Sequence, residues 1–327
     1  MRFFYRVPFI LSAMALMLLG LYLGLIKTGL PLVPIFDPSY HAPFMVMGFL
    51  GMVISIERIV TFRGYRWYIP PALLFIGAVT LQPLFYVLGA LGTVYIYLEL
   101  LRRYGVNLAR GLMFASSVFF LLGNIAYYFS LEKAIALWSV YLVMVIVGER
   151  IDLSIFMGRS LLKDVSIVLL LFIFALSYYF WWKALVGLSL FLIALWSFKY
   201  DIVSRNVFIT RGVTRFMAVN LLLGYLWLII TAPAWIFQWN YDLMLHGILL
   251  GFVFSMIFAH APIIFPTILG RTRRYNPILY IPVVLFHAGL IWRFFADIRW
   301  GSLLVALSIV MYFLLFQATV FSESRAG

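Results

Sequence analysis

Four histidines are the residues of this chain best suited to hold a metal ion or a haem: His41, His246, His260 and His287. Imidazole nitrogen is a ligand for iron, copper and zinc, and two imidazoles on opposite faces of a haem form an axial pair. The chain has no cysteine, which excludes disulfides, thiolate haem ligation, iron–sulfur clusters and cysteine-based copper or zinc sites. Any metal site must therefore use histidine, methionine, carboxylate or backbone groups.

Two of the histidines lie in one apolar stretch, LHGILLGFVFSMIFAHAP at 245–262. In an α-helix, His246 and His260 would be about 21 Å apart along the axis, with side chains about 40° apart in direction. One ion cannot bind both unless the helix breaks severely at Gly247, Gly251 or Pro262. We therefore expect these two histidines to have different roles.

The elements that position the histidines are membrane-type helices. The chain is 65% apolar and 11% charged, and apolar runs fill nearly all of its 327 residues. Runs of about 18 or more apolar residues favour membrane-spanning helices, because a helix satisfies its own backbone hydrogen bonds in lipid. We predict an all-α, polytopic transmembrane bundle in which residues 1–327 form a single integral membrane domain, with no soluble domain. The predicted spans lie near 8–26, 41–62, 67–81, 84–101, 108–129, 133–156, 163–181, 183–199, 213–236, 241–262, 276–295 and 301–321.

The third and fourth spans are separated only by TLQP at 80–83, and one kinked helix there would leave eleven spans. The distribution of basic residues favours twelve, because twelve spans put nineteen of the 24 lysines and arginines on one side. The other side holds only Lys27, Lys133, Lys183, Arg293 and Arg299. Basic loops are typical of the cytoplasmic face, so we predict that both termini are cytoplasmic and that the bilayer is the cell membrane. The basic residues stand singly or in pairs, which argues against a nucleic-acid partner despite the net charge of +13.

This orientation gives each histidine a depth. His41, His246 and His287 fall in the outer leaflet on three different helices, and His260 falls near the inner end of the tenth. We predict that at least two of the outer three ligate a haem iron or another metal. In the leading hypothesis His246 and His287 are the axial ligands, and His41 is a third ligand, an alternate ligand or a distal group. The alternative for each histidine is a hydrogen bond between helices.

A second polar set is predicted at the inner ends of the helices: Glu57 and Arg58 in SIERIV, Glu149 and Arg150 in VGERID, and His260. Charged groups inside a bilayer usually pair, face the protein interior or line a water path. These residues are expected to form helix-end salt bridges in an inner polar network, or to give protons access from the cytoplasm.

The chain also resembles the NnrS family of twelve-span membrane proteins, which are described as containing haem and copper and are linked to nitric oxide metabolism. His246, Gly247, Gly251, Met256, Gly270 and Arg271 match the family's pattern of a histidine that opens a glycine-rich helix followed by Gly-Arg. In the early helix this chain has His41-Ala-Pro-Phe-Met45 where the family has a paired-histidine motif before a methionine. The resemblance implies a haem protein.

Together these observations predict a haem b protein with a redox role or a role in handling a diatomic gas such as nitric oxide. Its partner would be a redox protein or a small-molecule ligand. Copper is the alternative metal, since Met45 follows His41 on one helix face.

Two other functions stay open. The same histidine, glutamate and arginine side chains could line the path of a small-solute or ion transporter or channel. The chain could also be a non-catalytic membrane subunit of a larger complex.

Overall fold

The computed structural model describes residues 6–154, 158, 160–269 and 275–321, and in these residues the chain is helical and contains no strand. A short helix, Ile202–Arg205, connects the eighth and ninth of twelve longer helices. The longer helices are α1 Arg6–Lys27, α2 Pro38–Ile59, α3 Ile69–Thr80, α4 Pro83–Tyr104, α5 Leu108–Ala126, α6 Leu131–Ser154, α7 Leu161–Tyr179, α8 Lys183–Tyr200, α9 Gly212–Phe237, α10 Tyr241–Pro266, α11 Pro277–Phe295 and α12 Ile298–Phe321.

Within the described residues, eleven of these helices are long and apolar enough to cross a membrane, and the exception is α3 with twelve residues. Helices α3 and α4 are nevertheless separate, because Leu81 adopts a left-handed conformation (φ 56°) that ends α3. The two helices pack antiparallel: a side chain at Gly77 would meet Tyr86, and one at Gly89 would meet Leu74. The twelve helices therefore lie in the predicted order and the alternative of one kinked helix is wrong, but only eleven of the twelve predicted spans are helices long and apolar enough to cross a membrane.

Three helices form the centre of the bundle. Helix α6 is the most buried of the eleven, with 89% of its most apolar stretch inside the protein, followed by α2 with 72% and α10 with 67%. These are the helices that carry His41, His246, His260 and the Glu-Arg pairs. The polar groups of α2, α6 and α10 are thus held in the protein interior, where a buried charge requires a partner.

Helices α2 and α10 share an unusual feature that their sequences did not predict. Each contains a π-helical segment, Phe44–Leu50 in α2 and Gly247–Phe254 in α10. In α2, for example, the amide of Gly51 bonds the carbonyl of Val46, five residues earlier. The π-helical segments begin three residues after His41 and one residue after His246, and such segments are frequent at functional sites.

Two ends of the bundle are distinguished below. The histidine end contains the C-terminus of α1 and the N-termini of α2, α6 and α10, and the arginine end contains the opposite ends of these helices. His41 and His246 lie at the histidine end, whereas Arg58 and Arg150 lie at the arginine end.

Candidate cofactor site at the histidine end

His41 is fixed against α1 by two glycines. Its Nδ1–H donates to the carbonyl oxygen of Gly20 (2.7 Å). The ring also lies so close to Gly24 that a Cβ there would be 2.8 Å from ring atoms. A carbonyl oxygen only accepts, so Nδ1 carries the proton and the lone pair of a neutral His41 is on Nε2. No described residue forms a hydrogen bond with this Nε2.

His246 is oriented by a carboxylate on its own helix. Nδ1 of His246 is 2.7 Å from Oδ1 of Asp242, one helical turn earlier. Asp242 in turn accepts two bonds of 2.7 Å from Arg293, through Nε and Nη2. Arg293 also donates to the hydroxyl of Ser302 (2.7 Å), which ties α10, α11 and α12 together. Nη2 of Arg293 is also 3.4 Å from Nδ1 of His246, but the shorter contact is with the carboxylate oxygen, which only accepts. The proton of a neutral His246 is therefore on Nδ1, and its Nε2 lone pair has no partner among the described residues.

The two imidazoles meet in one cavity, which we call the histidine cavity. Their ring centres are 6.3 Å apart with 41° between the ring planes. The cavity has a volume of about 370 Å³, within the range of cofactor and small-molecule sites. Its walls come from α1, α2, α6, α10, α11 and α12 and are mainly aliphatic, and its charged residues are Lys27 and the ion pair of Arg293 with Asp242.

This spacing fits two ligands of one metal ion. A metal–imidazole bond is about 2.0 Å long and the ring centre lies about 1.2 Å behind the nitrogen, so imidazoles on opposite sides of an ion have centres about 6.4 Å apart. Ligating histidines usually donate their other ring N–H to a backbone carbonyl or a carboxylate. His41 does the first and His246 the second.

His287 has the opposite hydrogen-bond arrangement and is not among the residues that line the histidine cavity. Its Nδ1 accepts from the indole N–H of Trp227 (2.9 Å). Because indole only donates, a neutral His287 must carry its proton on Nε2, which is buried and has no hydrogen-bond partner among the described residues. Neither nitrogen then offers a lone pair to a metal. The structure thus groups His41 with His246, not His246 with His287.

His260 lies at the arginine end, as the 14-residue spacing from His246 predicts, and both its nitrogens are engaged. Nδ1–H donates to the carbonyl of Met256 (2.6 Å), and Nε2 accepts from Nη2 of Arg150 (2.6 Å). Arg150 is also 4.0 Å from a carboxylate oxygen of Asp201, which accepts from the hydroxyl of Tyr225 (2.6 Å). This group ties α6, α9 and α10 together in a way that sequence inspection missed, since Asp201 follows α8 and gave no signal.

Glu57, Arg58 and Glu149 form a second polar group at the arginine end. Arg58 makes an ion pair with Glu149, and its Nη2 is 3.5 Å from Oε1 of Glu57. Both glutamates and His260 line a small cavity of about 80 Å³, the carboxylate cavity. All five residues predicted for the inner polar network therefore lie at this end, in two neighbouring groups.

The described residues contain no group of three histidine, cysteine, aspartate or glutamate side chains arranged to hold a metal ion. A metal site in the histidine cavity would therefore have the two imidazoles as ligands, and the nitrogens of a porphyrin or a thioether sulfur would complete the coordination. Sequence inspection missed Asp242 and Arg293, although an aspartate four residues before a histidine places both on one helix face.

Comparison with known proteins gives one match. The family model described as domain of unknown function DUF8744 matches residues 6–321, which is nearly the whole chain. The chain belongs to this family. No curated protein and no solved structure matches the DUF8744 chain. Gly270 and Arg271, on which the resemblance to NnrS partly rests, lie outside the described residues.

Proposed function

We propose that this DUF8744 protein is an integral membrane haem b protein in which His41 and His246 are the two axial ligands. The observation that supports this most is the matching hydrogen-bond state of the two rings. Both donate from Nδ1 and keep an Nε2 lone pair, and they share one cavity with a spacing suited to one metal ion.

The other residues that line the histidine cavity also suit a haem. Aliphatic walls favour the apolar faces of a porphyrin, and Lys27 at the histidine end would pair with one of its carboxylates. Arg293 is already ion-paired with Asp242 and bonded to Ser302, so its role would be to hold the carboxylate that orients His246. When bound, a haem supplies one-electron redox chemistry.

Two protein ligands on one iron favour electron transfer over gas binding, because no coordination position is left open. We therefore narrow the predicted redox or diatomic-gas role to electron transfer with a redox partner. A response to nitric oxide, the role implied by the resemblance to NnrS, would require His41 or His246 to leave the metal.

The membrane orientation belongs to the same proposal. The bundle would lie in the cell membrane with both termini in the cytoplasm, since the arginine end carries most of the basic residues. The histidine cavity would then be close to the outer surface, where an external redox partner could approach it.

The direct test is the absorption spectrum and the pyridine haemochrome assay of the full chain purified from haem-replete cells. We expect a Soret band and about one haem b per chain, with no change on addition of carbon monoxide because both axial positions are occupied. A colourless preparation would contradict the proposal.

Copper is the alternative occupant, with Met45 as a third ligand. Met45 lines the histidine cavity, and its sulfur would be 2.6 Å from a Cβ placed at Gly20, whose carbonyl binds His41. Two imidazoles and a thioether suit copper. Elemental analysis of the purified protein distinguishes this outcome, since copper without haem would require Met45 and leave no Soret band.

A small-solute or ion transporter is the second candidate function, favoured by the arrangement of the two cavities. Leu50 borders both the histidine cavity and the carboxylate cavity, so one apolar layer separates spaces at opposite ends of the bundle. Flux into liposomes by pigment-free protein, lost in Glu57→Gln, would support transport. Absence of flux in pigmented protein would support the haem protein instead.

A further inference from the structure

An open groove runs between α7 and α8 on the outer surface of the bundle, and it shares no lining residue with the histidine cavity or the carboxylate cavity. Its apolar walls are formed largely by Leu169 and Leu170 of α7 and by Leu192 and Leu195 of α8. Three of these leucines, all but Leu170, are between 36% and 53% exposed. The groove has a volume of about 420 Å³, within the range of small-molecule sites. In a bundle that crosses a membrane, this apolar surface faces lipid.

The other end of the groove is polar and lies at the arginine end. Asp201, which directly follows α8, is 4.0 Å from Arg150, so the C-terminus of α8 and the N-terminus of α7 are at that end. The lining residues there include Ser166 on α7 and Lys199 and Tyr200 on α8. The groove therefore changes from polar to apolar along its length, as a phospholipid does.

Hydrogen bonds hold the two walls of the groove together at this polar end. The backbone carbonyl of Lys163 on α7 accepts from the indole N–H of Trp196 on α8 (3.1 Å) and from the hydroxyl of Ser166 (2.8 Å). The indole ring of Trp196, which also lines the groove, is 5.2 Å from the ring of Tyr200. The shape of the groove is thus set by contacts within the protein.

Lys199 brings a positive charge to the groove without an ion-pair partner among the described residues. Its Nζ is 5.1 Å from the ring centre of Tyr200, and the hydroxyl of Tyr200 forms no hydrogen bond with a described residue. The neighbouring Lys163 differs, because its Nζ is 3.9 Å from a carboxylate oxygen of Asp164. An ammonium and a phenolic hydroxyl on adjacent residues can both donate to one phosphate group.

We propose that the groove between α7 and α8 binds one anionic phospholipid from the leaflet at the arginine end. The phosphate accepts from Lys199 and Tyr200, and an acyl chain lies along the leucines. Leu192 is seven residues before Lys199, about 10.5 Å of helix rise, so the groove extends from headgroup level into the hydrocarbon. Basic pockets between transmembrane helices bind anionic headgroups, whereas a zwitterionic headgroup brings a cation that Lys199 would repel. The site requires that the bundle lies in a membrane, but not that it binds haem.

The headgroup contact is tested by native mass spectrometry of the delipidated full chain in detergent, titrated with phosphatidylglycerol and with phosphatidylcholine of the same acyl chains. Lys199→Gln removes the charge at the groove. Arg102→Gln is the matched control, because Arg102 is also exposed at the arginine end, on α4, and does not line the groove. We expect the first phosphatidylglycerol to bind about fivefold more weakly to Lys199→Gln than to Arg102→Gln or the wild type, with little change for phosphatidylcholine. Equal phosphatidylglycerol affinities in the two variants would overturn the proposal.

The acyl-chain contact is tested with a phosphatidylglycerol that carries a photoreactive diazirine in its acyl chain. Leu195→Trp fills the groove. Leu188→Trp is the matched control, since Leu188 is exposed two turns away on nearly the same face of α8 and does not line the groove. We expect cross-links to α7 and α8 to be largely lost in Leu195→Trp and kept in Leu188→Trp. Equal cross-linking in both variants would contradict a lipid in the groove, and displacement of the lipid by inorganic phosphate would show a site for a free anion instead.

Discussion

The histidine cavity and the Arg150–His260 group are two ways of burying imidazole in one bundle. In the histidine cavity, His41 and His246 each use one nitrogen and keep the other free. In the Arg150–His260 group, both nitrogens are engaged, and the histidine accepts a hydrogen bond from a buried arginine. A fully bonded imidazole stabilises the contact between helices, whereas a half-bonded one is ready for a ligand.

His287 is a third kind of histidine in this bundle. It shows that a position near the histidine end of a helix is not enough to make a histidine a metal ligand. It is buried as His41 is, but Trp227 occupies the nitrogen whose lone pair a metal would need. Removing each histidine in turn should therefore separate ligands from structural residues.

The largest effect is expected from truncating the two half-bonded histidines. His41→Ala and His246→Ala each remove one of the two proposed axial ligands, and we expect either variant to lose most of the bound haem. His260→Ala and His287→Ala should retain haem at the wild-type ratio. The measurement is the haem-to-protein ratio after size-exclusion chromatography, which also reports folding. Equal retention in all four variants would break the distinction between the two kinds of histidine.

A smaller effect is expected from the carboxylate that orients His246. Asp242→Asn keeps an oxygen that accepts from Nδ1–H but removes the negative charge. Because outer partners of ligating histidines contribute to affinity, we expect haem binding to weaken about 10–100-fold and the midpoint potential to rise. Asp37→Asn is the control, since Asp37 caps the start of α2 through the amide of Ser39 and does not line the cavity. An unchanged affinity in Asp242→Asn would show that the negative charge of Asp242 does not support haem binding.

A glycine substitution tests the position of His41 without removing the histidine. In Gly24→Ala the new methyl group would be 2.8 Å from the His41 ring, so the ring must move, at a cost of about 1–3 kcal/mol. We expect a shifted Soret band and weaker haem retention. Gly111→Ala is the matched control, because nothing lies within 4 Å of its Cβ and alanine favours a helix by about 0.5–1 kcal/mol. If both variants have the wild-type spectrum, His41 is not held in place for a ligand.

The smallest effect is expected at His287. His287→Phe leaves the buried Trp227 indole N–H without an acceptor, and we expect the free energy of unfolding to fall by about 1–3 kcal/mol with haem retained. Thermal unfolding followed by tryptophan fluorescence measures this change, with the Soret band recorded in parallel. If His287→Phe instead lost the Soret band with little change in stability, His287 would be a haem ligand.

The order of helices was predictable from the sequence because hydropathy and turn residues act locally. The TLQP turn, with Leu81 in a left-handed conformation, is enough to separate α3 from α4. The shared end of His41 and His246 was also predictable, because each stands near the start of a helix that runs in the same direction.

The pairing of His41 with His246 was not predictable, because it depends on which helices are neighbours and on which ring nitrogen is engaged. The carbonyl of Gly20 and the indole of Trp227 decide these states from distant positions in the chain. The π-helical segments, which change the direction of every later side chain in α2 and α10, also left no local signal. Only Asp242, four residues before His246, was visible in the sequence as a partner.

The spin state of the iron tests the central claim most directly, namely that His41 and His246 bind one haem from opposite sides. In the ferric wild type, low-temperature electron paramagnetic resonance should give the low-spin signal of two imidazole ligands. In His41→Gly and His246→Gly the fraction of haem that stays bound should be high-spin, and added imidazole should restore both haem binding and the low-spin signal in each. A wild type without haem iron, or a low-spin signal that both glycine variants keep without added imidazole, would contradict the account.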